Sequence, residues 1–127
     1  MSEASGVRAV LVEDEAIIRL SLRVVLRDLG IDVCGETDRA EDSLALVRNT
    51  APDFVLMDIK LKGEMTGIEA ARDISAELET PIIFMSAYDF EDQVGLENVP
   101  TKVAYLKKPV TGADLAESLK FTHRDKS

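Results

Sequence analysis

The chain has 127 residues, which is enough for one domain with a single hydrophobic core and too few for two. Apolar residues make up 46% and charged residues 31%, which argues against a disordered chain, and no apolar run approaches the roughly 20 residues of a membrane span. The formal charge of −9 disfavours direct binding to nucleic acid, and an acidic amino terminus without signal-peptide features predicts a cytoplasmic protein.

Strand-like and helix-like segments alternate along the chain, beginning with a buried strand and an amphipathic helix. Residues Val7 to Val12 form a nearly continuous apolar run, which is typical of a strand buried on both faces. A helix is predicted from Ala16 to Leu29, because apolar residues recur there at the spacing of one helical face. Asp14 is placed to cap the start of this helix, and Gly30 is placed to end it.

The later segments continue the alternation, so that five strands and five helices are predicted. The further strands are expected at about 31–35, 54–57, 82–85 and 102–106. The further helices are expected at about 39–48, 68–78, 90–96 and 112–121. Parallel strands joined by helices give a sheet that is covered on both faces, with right-handed crossovers. The sequence therefore predicts one α/β domain over residues 1–127, with a core from about 7 to 121.

Reactive polar residues follow four of the predicted strands. The first strand leads into Glu13 and Asp14, and the third ends at Asp58. The fourth strand ends at Ser86, and Lys108 follows the fifth. Because the carboxyl ends of parallel strands meet at one edge of an open sheet, these side chains are expected to lie together. Each has an ordinary structural explanation when taken alone, but a single functional cause explains all of them at one edge better than several coincidences.

The chemistry of this set fits a divalent cation and a phosphoryl group. Three neighbouring carboxylates repel one another, so they need a cation or a raised pKa, and Mg²⁺ favours oxygen ligands of this kind. Asp58 is placed to act as a nucleophile on phosphorus, as in covalent aspartyl-phosphate chemistry. Ser86 would donate a hydrogen bond to the transferred oxygens, and Lys108 would supply a positive charge. Pro109 restricts Lys108 to extended geometry and so fixes where its ammonium points.

Four segments of the sequence together resemble the receiver domains of two-component response regulators, the chemotaxis-receiver-like family. These segments are Leu11–Glu15, Leu56–Ile59, Phe84–Ala87 and Tyr105–Pro109, and the resemblance covers about residues 7 to 121. It implies a flavodoxin-like, doubly wound fold with the strand order 2-1-3-4-5. It also implies a phosphorylation-activated switch, either a stand-alone receiver or the receiver module of a longer protein, that is not an enzyme acting on other substrates.

The resemblance gives a role to each residue of the predicted site. Glu13 and Asp14 would bind Mg²⁺ or Mn²⁺ together with Asp58 and the backbone carbonyl of Lys60. Asp58 would accept the phosphoryl group from a sensor histidine kinase or a phosphotransfer protein. Lys108 would lie beside it, because this lysine, and not the one before it, directly precedes the proline of the family motif.

The resemblance also implies how the switch would work. Ser86 would turn toward the phosphoryl group and Tyr105 would swing inward, which would reshape the face made by the fourth helix, the fifth strand and the fifth helix. Output would follow through an unidentified protein bound at that face or through homodimerisation there. Lys60 and Tyr88 lie two residues beyond Asp58 and Ser86, where they are expected to flank the path of the attacking water and tune the lifetime of the phosphoryl group.

The loop after Asp58 departs from the family pattern. Family members commonly place a proline four residues after the phosphoacceptor and a glycine about eight residues after it. In this chain Lys62 occupies the first of these positions, and Gly67 comes nine residues after Asp58. The departure leaves the predicted site residues intact and changes the predicted shape of the loop and its contacts with a kinase.

Three other protein classes share part of this pattern. A haloacid-dehalogenase-type phosphatase places a second aspartate two residues after its nucleophile, where this chain has Lys60. A flavodoxin needs a phosphate-binding loop rich in Ser, Thr and Gly after the first strand, where this chain has Glu13, Asp14 and Glu15. A degenerate receiver that serves only as an interaction module remains an alternative, although a competent residue fills every site position here.

Overall fold

The five predicted strands form one parallel sheet in the computed structural model, which describes residues 6–61, 63–87 and 95–123. The strands are β1 (Arg8–Val12), β2 (Asp32–Thr37), β3 (Phe54–Asp58), β4 (Ile82–Ser86) and β5 (Lys102–Lys107). Their order in the sheet is β2-β1-β3-β4-β5, and every neighbouring pair is parallel. The predicted fold class and the strand order 2-1-3-4-5 are confirmed.

Helices cover both faces of the sheet. The α-helices among the described residues are α1 (Ala16–Asp28), α2 (Ser43–Thr50), α3 (Gly67–Glu77) and α4 (Gly112–His123). Short 3₁₀ helices lie at Ala40–Asp42 and Leu96–Asn98. Most of the helix predicted at about 90–96 lies outside the described residues, so α4 is the fifth predicted helix. In the part of the chain that the structure describes, none of the helices combines the length and apolar character that a membrane crossing needs.

The core consists of two apolar clusters, one on each face of the sheet. Successive residues of a strand point to opposite faces, and β3 and β4 are buried at every position, so both faces are apolar. On one face, strand residues such as Val55 and Phe84 pack with residues of α2 and α3. On the other face, residues such as Leu56 and Met85 pack with residues of α1 and α4. Burial on both faces explains why the central strands have continuous apolar sequences.

The edge strand β2 is longer than predicted, because it ends at Thr37 and not at Gly35. Its last two residues, Glu36 and Thr37, pair with Leu11 and Val12 of β1. An edge strand is hydrogen-bonded on one side only, and all but the first residue of β2 are half-buried, so polar side chains are tolerated there. The apolar pattern therefore fades before the strand ends.

The two ends of α1 differ in how well they were predicted. Asp14 was wrongly predicted to cap the helix, since the N-cap is Glu15, which makes no capping hydrogen bond through its side chain. Gly30 does end the helix in a left-handed conformation with φ of 82°. The Gly30 amide donates to the Arg27 carbonyl at 2.9 Å, and the Ile31 amide donates to the Leu26 carbonyl at 2.9 Å. These two bonds form the Schellman motif that glycine favours at a helix end.

Candidate functional site

The structure brings the predicted charged residues together at the carboxyl edge of the sheet. The Lys108 ammonium donates hydrogen bonds to Glu13 Oε1 at 2.8 Å and to Asp58 Oδ2 at 3.0 Å. Asp14 joins the group, because one carboxylate oxygen from each of Glu13, Asp14 and Asp58 lies within 4.8 Å of the others. The Asp14 carboxylate is therefore part of this cluster and does not serve as a helix cap.

The acidic residues at the centre of this cluster are buried and hydrogen-bonded. Glu13 is fully buried and Asp58 is 3% exposed. Glu13 accepts a second hydrogen bond, to Oε2 from the Glu15 amide at 3.1 Å, and Asp58 Oδ1 accepts one from the Lys60 amide at 3.3 Å. Burying a charge is costly unless it is paired, and Lys108 supplies a positive charge to both carboxylates.

The burial of Asp58 changes its acid–base behaviour. The pKa of Asp58 is raised from 3.8 to about 7, first by burial and then by the neighbouring Glu13 carboxylate, while Lys108 acts in the opposite direction. Burial by itself would lower the pKa of Lys108, but its hydrogen bond to Glu13 and the charge of Asp58 raise it overall. Lys108 therefore stays charged at neutral pH, whereas Asp58 is balanced between its two protonation states.

The donor set at this edge fits a small, hard divalent cation. An octahedral ion with ligands at 2.0–2.1 Å holds its ligand oxygens about 2.9–4.2 Å apart. The carboxylate oxygens of Glu13, Asp14 and Asp58 lie within 4.8 Å of one another, so a small inward shift brings them to that spacing. Lys60 follows β3 at the same edge, and a ligand role for its backbone carbonyl stays a prediction.

Ser86 and Tyr105 lie on neighbouring strands next to this cluster. Ser86 is the last residue of β4 and is buried, and its backbone carbonyl accepts a hydrogen bond from the Lys108 amide at 2.7 Å. Tyr105 pairs with Phe84 across β4 and β5 and is half-buried against the α2–α3 side of the core. Their switching roles stay predictions. Lys60 is exposed at the rim of the site, and Tyr88 lies outside the described residues.

The loop after β3 keeps its glycine close to the end of β3 despite the unusual spacing. The Gly67 amide donates to the Ile59 carbonyl at 2.9 Å, and a Cβ atom on Gly67 would lie 2.0 Å from the Asp58 carbonyl oxygen. Only glycine fits this approach. Thr66 and Glu69 cap α3 reciprocally, at 2.9 and 3.1 Å, a Thr-x-x-Glu signal that is readable in the sequence. Lys62, which marks the departure from the family pattern, lies outside the described residues.

One contact at the site was not predicted from the sequence. Arg19 of α1 donates a hydrogen bond from Nη1 to the backbone carbonyl of Glu13 at 2.8 Å. In the sequence, Arg19 falls on the polar side of the helical pattern of α1, together with Arg23 and Arg27. The contact depends on how the turn between β1 and α1 bends back, and no sequence spacing reveals that.

Comparisons with known proteins agree with this geometry. A family model described as the response regulator receiver domain matches residues 9–120. The transcriptional regulatory protein PdtaR of Mycobacterium tuberculosis is 33% identical over 114 residues, which are 90% of this chain and 55% of PdtaR. A protein-glutamate methylesterase/protein-glutamine glutaminase of Haloarcula marismortui is 38% identical over 89 residues, which are 70% of this chain and 24% of that enzyme.

A solved structure of a receiver domain is also similar to this chain. The signal receiver domain of a modulated diguanylate cyclase from Desulfovibrio desulfuricans G20 matches with a TM-score of 0.84 and 33% identity, over 94% of this chain and 95% of that one. The chain spans about half the length of PdtaR and about a quarter of the methylesterase. The likeness to those two proteins therefore concerns the matched region alone.

Proposed function

This chain belongs to the response regulator receiver domain family, the phosphorylation-activated switches of two-component systems, and from this premise we propose that Asp58 accepts the phosphoryl group. The observation that carries the proposal is the position of Asp58. It ends β3 with its carboxylate 3.0 Å from the Lys108 ammonium and beside the carboxylates of Glu13 and Asp14. Asp58 alone among these acids ends a strand at the centre of the sheet.

The transfer step uses the Asp58 carboxylate as a nucleophile. One of its oxygens attacks the phosphorus of a phosphohistidine on a sensor histidine kinase or a phosphotransfer protein. The oxygen–phosphorus bond forms, the nitrogen–phosphorus bond breaks, and the imidazole leaves with the electron pair. Lys108 favours the ionised carboxylate that this attack requires, and its ammonium lies where negative charge develops on the transferred group.

We propose that Glu13, Asp14, Asp58 and the backbone carbonyl of Lys60 hold Mg²⁺, or Mn²⁺ in its place. The support is the closeness of the three carboxylates and their oxygen chemistry. A bound divalent cation would offset the repulsion among these acids and stabilise negative charge on the phosphoryl oxygens. It would also favour the ionised form of Asp58, so that cation binding prepares the nucleophile.

We propose that phosphorylation reorients Ser86 and Tyr105 and thereby changes the face that includes β5 and α4. Ser86 is buried beside β5, and its carbonyl is tied to Lys108, so a movement at Ser86 reaches β5 directly. The added charge of about −1.5 to −2 recruits the Ser86 hydroxyl and the Lys108 ammonium. Output would follow through a protein partner at this face or through homodimerisation there.

The phosphoacceptor is tested by incubating the protein with acetyl phosphate and Mg²⁺. One acid-stable, base-labile phosphoryl group should appear per chain, and Asp58→Asn should abolish it. Asp53→Asn is the matched control, because Asp53 lies just before the opposite end of β3, where it accepts a hydrogen bond from the Arg8 amide. Equal labelling of the Asp58→Asn protein and its parent would refute the assignment.

The same preparation distinguishes a signalling domain from a phosphatase. A receiver catalyses only its own phosphorylation and the hydrolysis of its own aspartyl phosphate. We expect no turnover of a generic phosphate ester, because Lys60 stands where a haloacid-dehalogenase-type phosphatase has its second aspartate. Sustained ester hydrolysis that Asp58→Asn abolishes would favour the phosphatase.

A further inference from the structure

Arg19 connects three elements at the edge of the proposed cation site. Its Nη1 atom donates to the Glu13 carbonyl at 2.8 Å, and its Nε atom donates to Glu36 Oε1 at 3.3 Å. Its own amide donates to the Glu15 carbonyl at 2.9 Å, which starts α1. The Arg19 side chain is only 20% exposed. It therefore holds the end of β1, the start of α1 and the end of β2 in one arrangement.

The peptide unit that Arg19 contacts joins two of the three acids. A peptide unit is planar, so a hydrogen bond to the Glu13 carbonyl fixes the plane that also contains the Asp14 amide. The Glu13 amide donates to the Thr37 carbonyl at 3.1 Å, and its carboxylate is bonded to Lys108. Asp14 is only half-buried, in contrast to Glu13 and Asp58. Its position therefore depends more on the orientation of the backbone than theirs does.

We propose that Arg19 is a positioning residue for the cation site, because its hydrogen bond to the Glu13 carbonyl holds the Glu13–Asp14 peptide and so aims the Asp14 carboxylate at the cation. The proposal rests on the proposed function, in which these acids bind a divalent cation. Arg19 does not touch the cation in this role. It acts through the backbone that carries Asp14.

The charge of Arg19 opposes this effect only weakly. A positive side chain near a cation site repels the cation, but the Glu36 carboxylate pairs with Arg19 and offsets its charge. A lysine in this position would keep the charge and lose the planar fork that reaches Glu13 and Glu36 together. The geometric effect of Arg19 therefore exceeds its electrostatic effect.

Arg23 provides a matched control for the charge. It lies one turn further along α1, and its Nε atom is 3.3 Å from the other oxygen of the Glu36 carboxylate. Its side chain is 47% exposed. Replacing Arg23 removes the same charge from the same helix and the same acid, one turn farther from the Glu13 peptide.

The test is a titration of ¹⁵N-labelled protein with Mg²⁺, in which amide shifts give the dissociation constant. Arg19→Gln should weaken binding about threefold to tenfold, the effect of one lost hydrogen bond, and Arg19→Lys should also weaken it. Arg23→Gln should stay within about twofold of the parent. Before Mg²⁺ is added, the Asp14 and Glu15 amide signals should move in both Arg19 variants. Thermal unfolding without Mg²⁺ checks the fold, and Arg19→Lys serves for the test if Arg19→Gln does not fold.

The outcomes separate this proposal from the proposed function. Equal affinities for the parent and the Arg19 variants, or equal weakening in Arg19→Gln and Arg23→Gln, would overturn the positioning role and leave the cation site standing. Tighter binding in Arg19→Gln would also overturn it, because repulsion would then be the larger effect. If the parent itself does not bind Mg²⁺, both proposals fail together.

Discussion

At the scale of single residues, the proposed role of Asp58 as a nucleophile sets two opposing requirements. A nucleophile must be ionised, but burial and the Glu13 carboxylate raise the pKa of Asp58 to about 7. Lys108 acts against both effects through its positive charge and through its hydrogen bond of 3.0 Å. The metal-free site therefore stores unfavourable electrostatic energy, which protonation of Asp58 or a bound cation would relieve.

This balance predicts an unusual dependence of stability on pH. Because the pKa of Asp58 is higher in the folded protein than its ordinary value of 3.8, the folded state binds the extra proton between about pH 4 and 7. The free energy of unfolding should therefore fall as pH rises through this window, by as much as about 4 kcal/mol from this group. Urea unfolding of the parent and of Asp58→Asn in Mg²⁺-free buffer measures the effect. The variant should be the more stable protein at pH 8.

The comparison between parent and variant removes the contribution of the other acids. Glu69, for example, has a pKa lowered by its hydrogen bonds to the backbone and side chain of Thr66. Its contribution to the free energy of unfolding therefore increases as pH rises, opposite to that of Asp58. Both proteins share that contribution. If the free energies of unfolding of the parent and of Asp58→Asn change in parallel from pH 4 to 8, the pKa of Asp58 is not raised in the folded protein.

At the scale of elements, α3 reaches the site only because it begins with glycine. A Cβ atom on Gly67 would lie 2.0 Å from the Asp58 carbonyl oxygen, and this neighbour is backbone that cannot rotate away. Gly67→Ala should therefore lower the free energy of unfolding by about 2–4 kcal/mol, as measured by urea denaturation. Gly112→Ala, at the start of α4, is the control, because its Cβ atom would meet only Val25 Cγ1 at 3.8 Å. Similar small losses in both variants would contradict the close approach of α3.

The helix α1 also has an exposed apolar side near the site. Its large exposed residues are Ile17, Leu20 and Val24, with Ile17 83% exposed. Ile17 lines an apolar groove that continues over Pro109 and Val110 beside Lys108. If Asp58 accepts the phosphoryl group as proposed, a protein donor must approach over this edge, so the groove is placed to contact it.

A charged side chain in this groove should slow phosphotransfer from a protein donor and leave labelling by a small-molecule donor unchanged. Ile17→Glu should slow phosphotransfer from the most active of a panel of autophosphorylated histidine kinases by about tenfold or more, the effect of losing one buried isoleucine contact. Its labelling by acetyl phosphate should not change, because that donor is too small to span the groove. Val24→Glu, two turns further along α1, is the control. Equal slowing with both donors would point to damage at Asp58 itself and contradict the docking role.

At the scale of the whole molecule, the sheet and its reactive edge were predictable because each depends on a short-range signal. Buried strands have continuous apolar sequences, and a polar residue at the end of each one identifies the edge. The pairing of the strands then determines which side chains meet. It brings Glu13, Asp58 and Lys108 together although they are spread over 95 residues of chain.

The features that were not predictable depend on three-dimensional turns. The backbone between β1 and α1 bends so that Glu15, and not Asp14, precedes the helix, which leaves the Asp14 carboxylate with the other acids. The same bend brings Arg19 back to the Glu13 carbonyl. The edge strand β2 continues through polar residues because its pairing with β1 uses backbone groups. Apolar periodicity carries no information about any of these contacts.

The proposed switch requires that a change at Asp58 cross the sheet to β5 and α4. Asp58 and Ser86 end adjacent strands, Phe84 pairs with Tyr105, and the Lys108 amide is bonded to the Ser86 carbonyl. In this proposal a change at Asp58 would pass through two strand pairings and would need no movement of β2 at the far edge. Packing that has two discrete arrangements, and not gradual bending, can carry such a change.

Binding of beryllofluoride with Mg²⁺, a mimic of the phosphoryl group, should shift amide signals along β5 and the start of α4 and leave β2 nearly unchanged. Ser86→Ala should still bind the mimic but should reduce the shifts around Tyr105, because the hydroxyl that the new group recruits is gone. Ser75→Ala is the control, since that hydroxyl contacts Thr101 just before β5 at 2.5 Å and lies away from Asp58. Shifts of the same size in the parent and in Ser86→Ala would show that the signal reaches β5 by another route, while unchanged β5 and α4 signals in the parent would refute the switch.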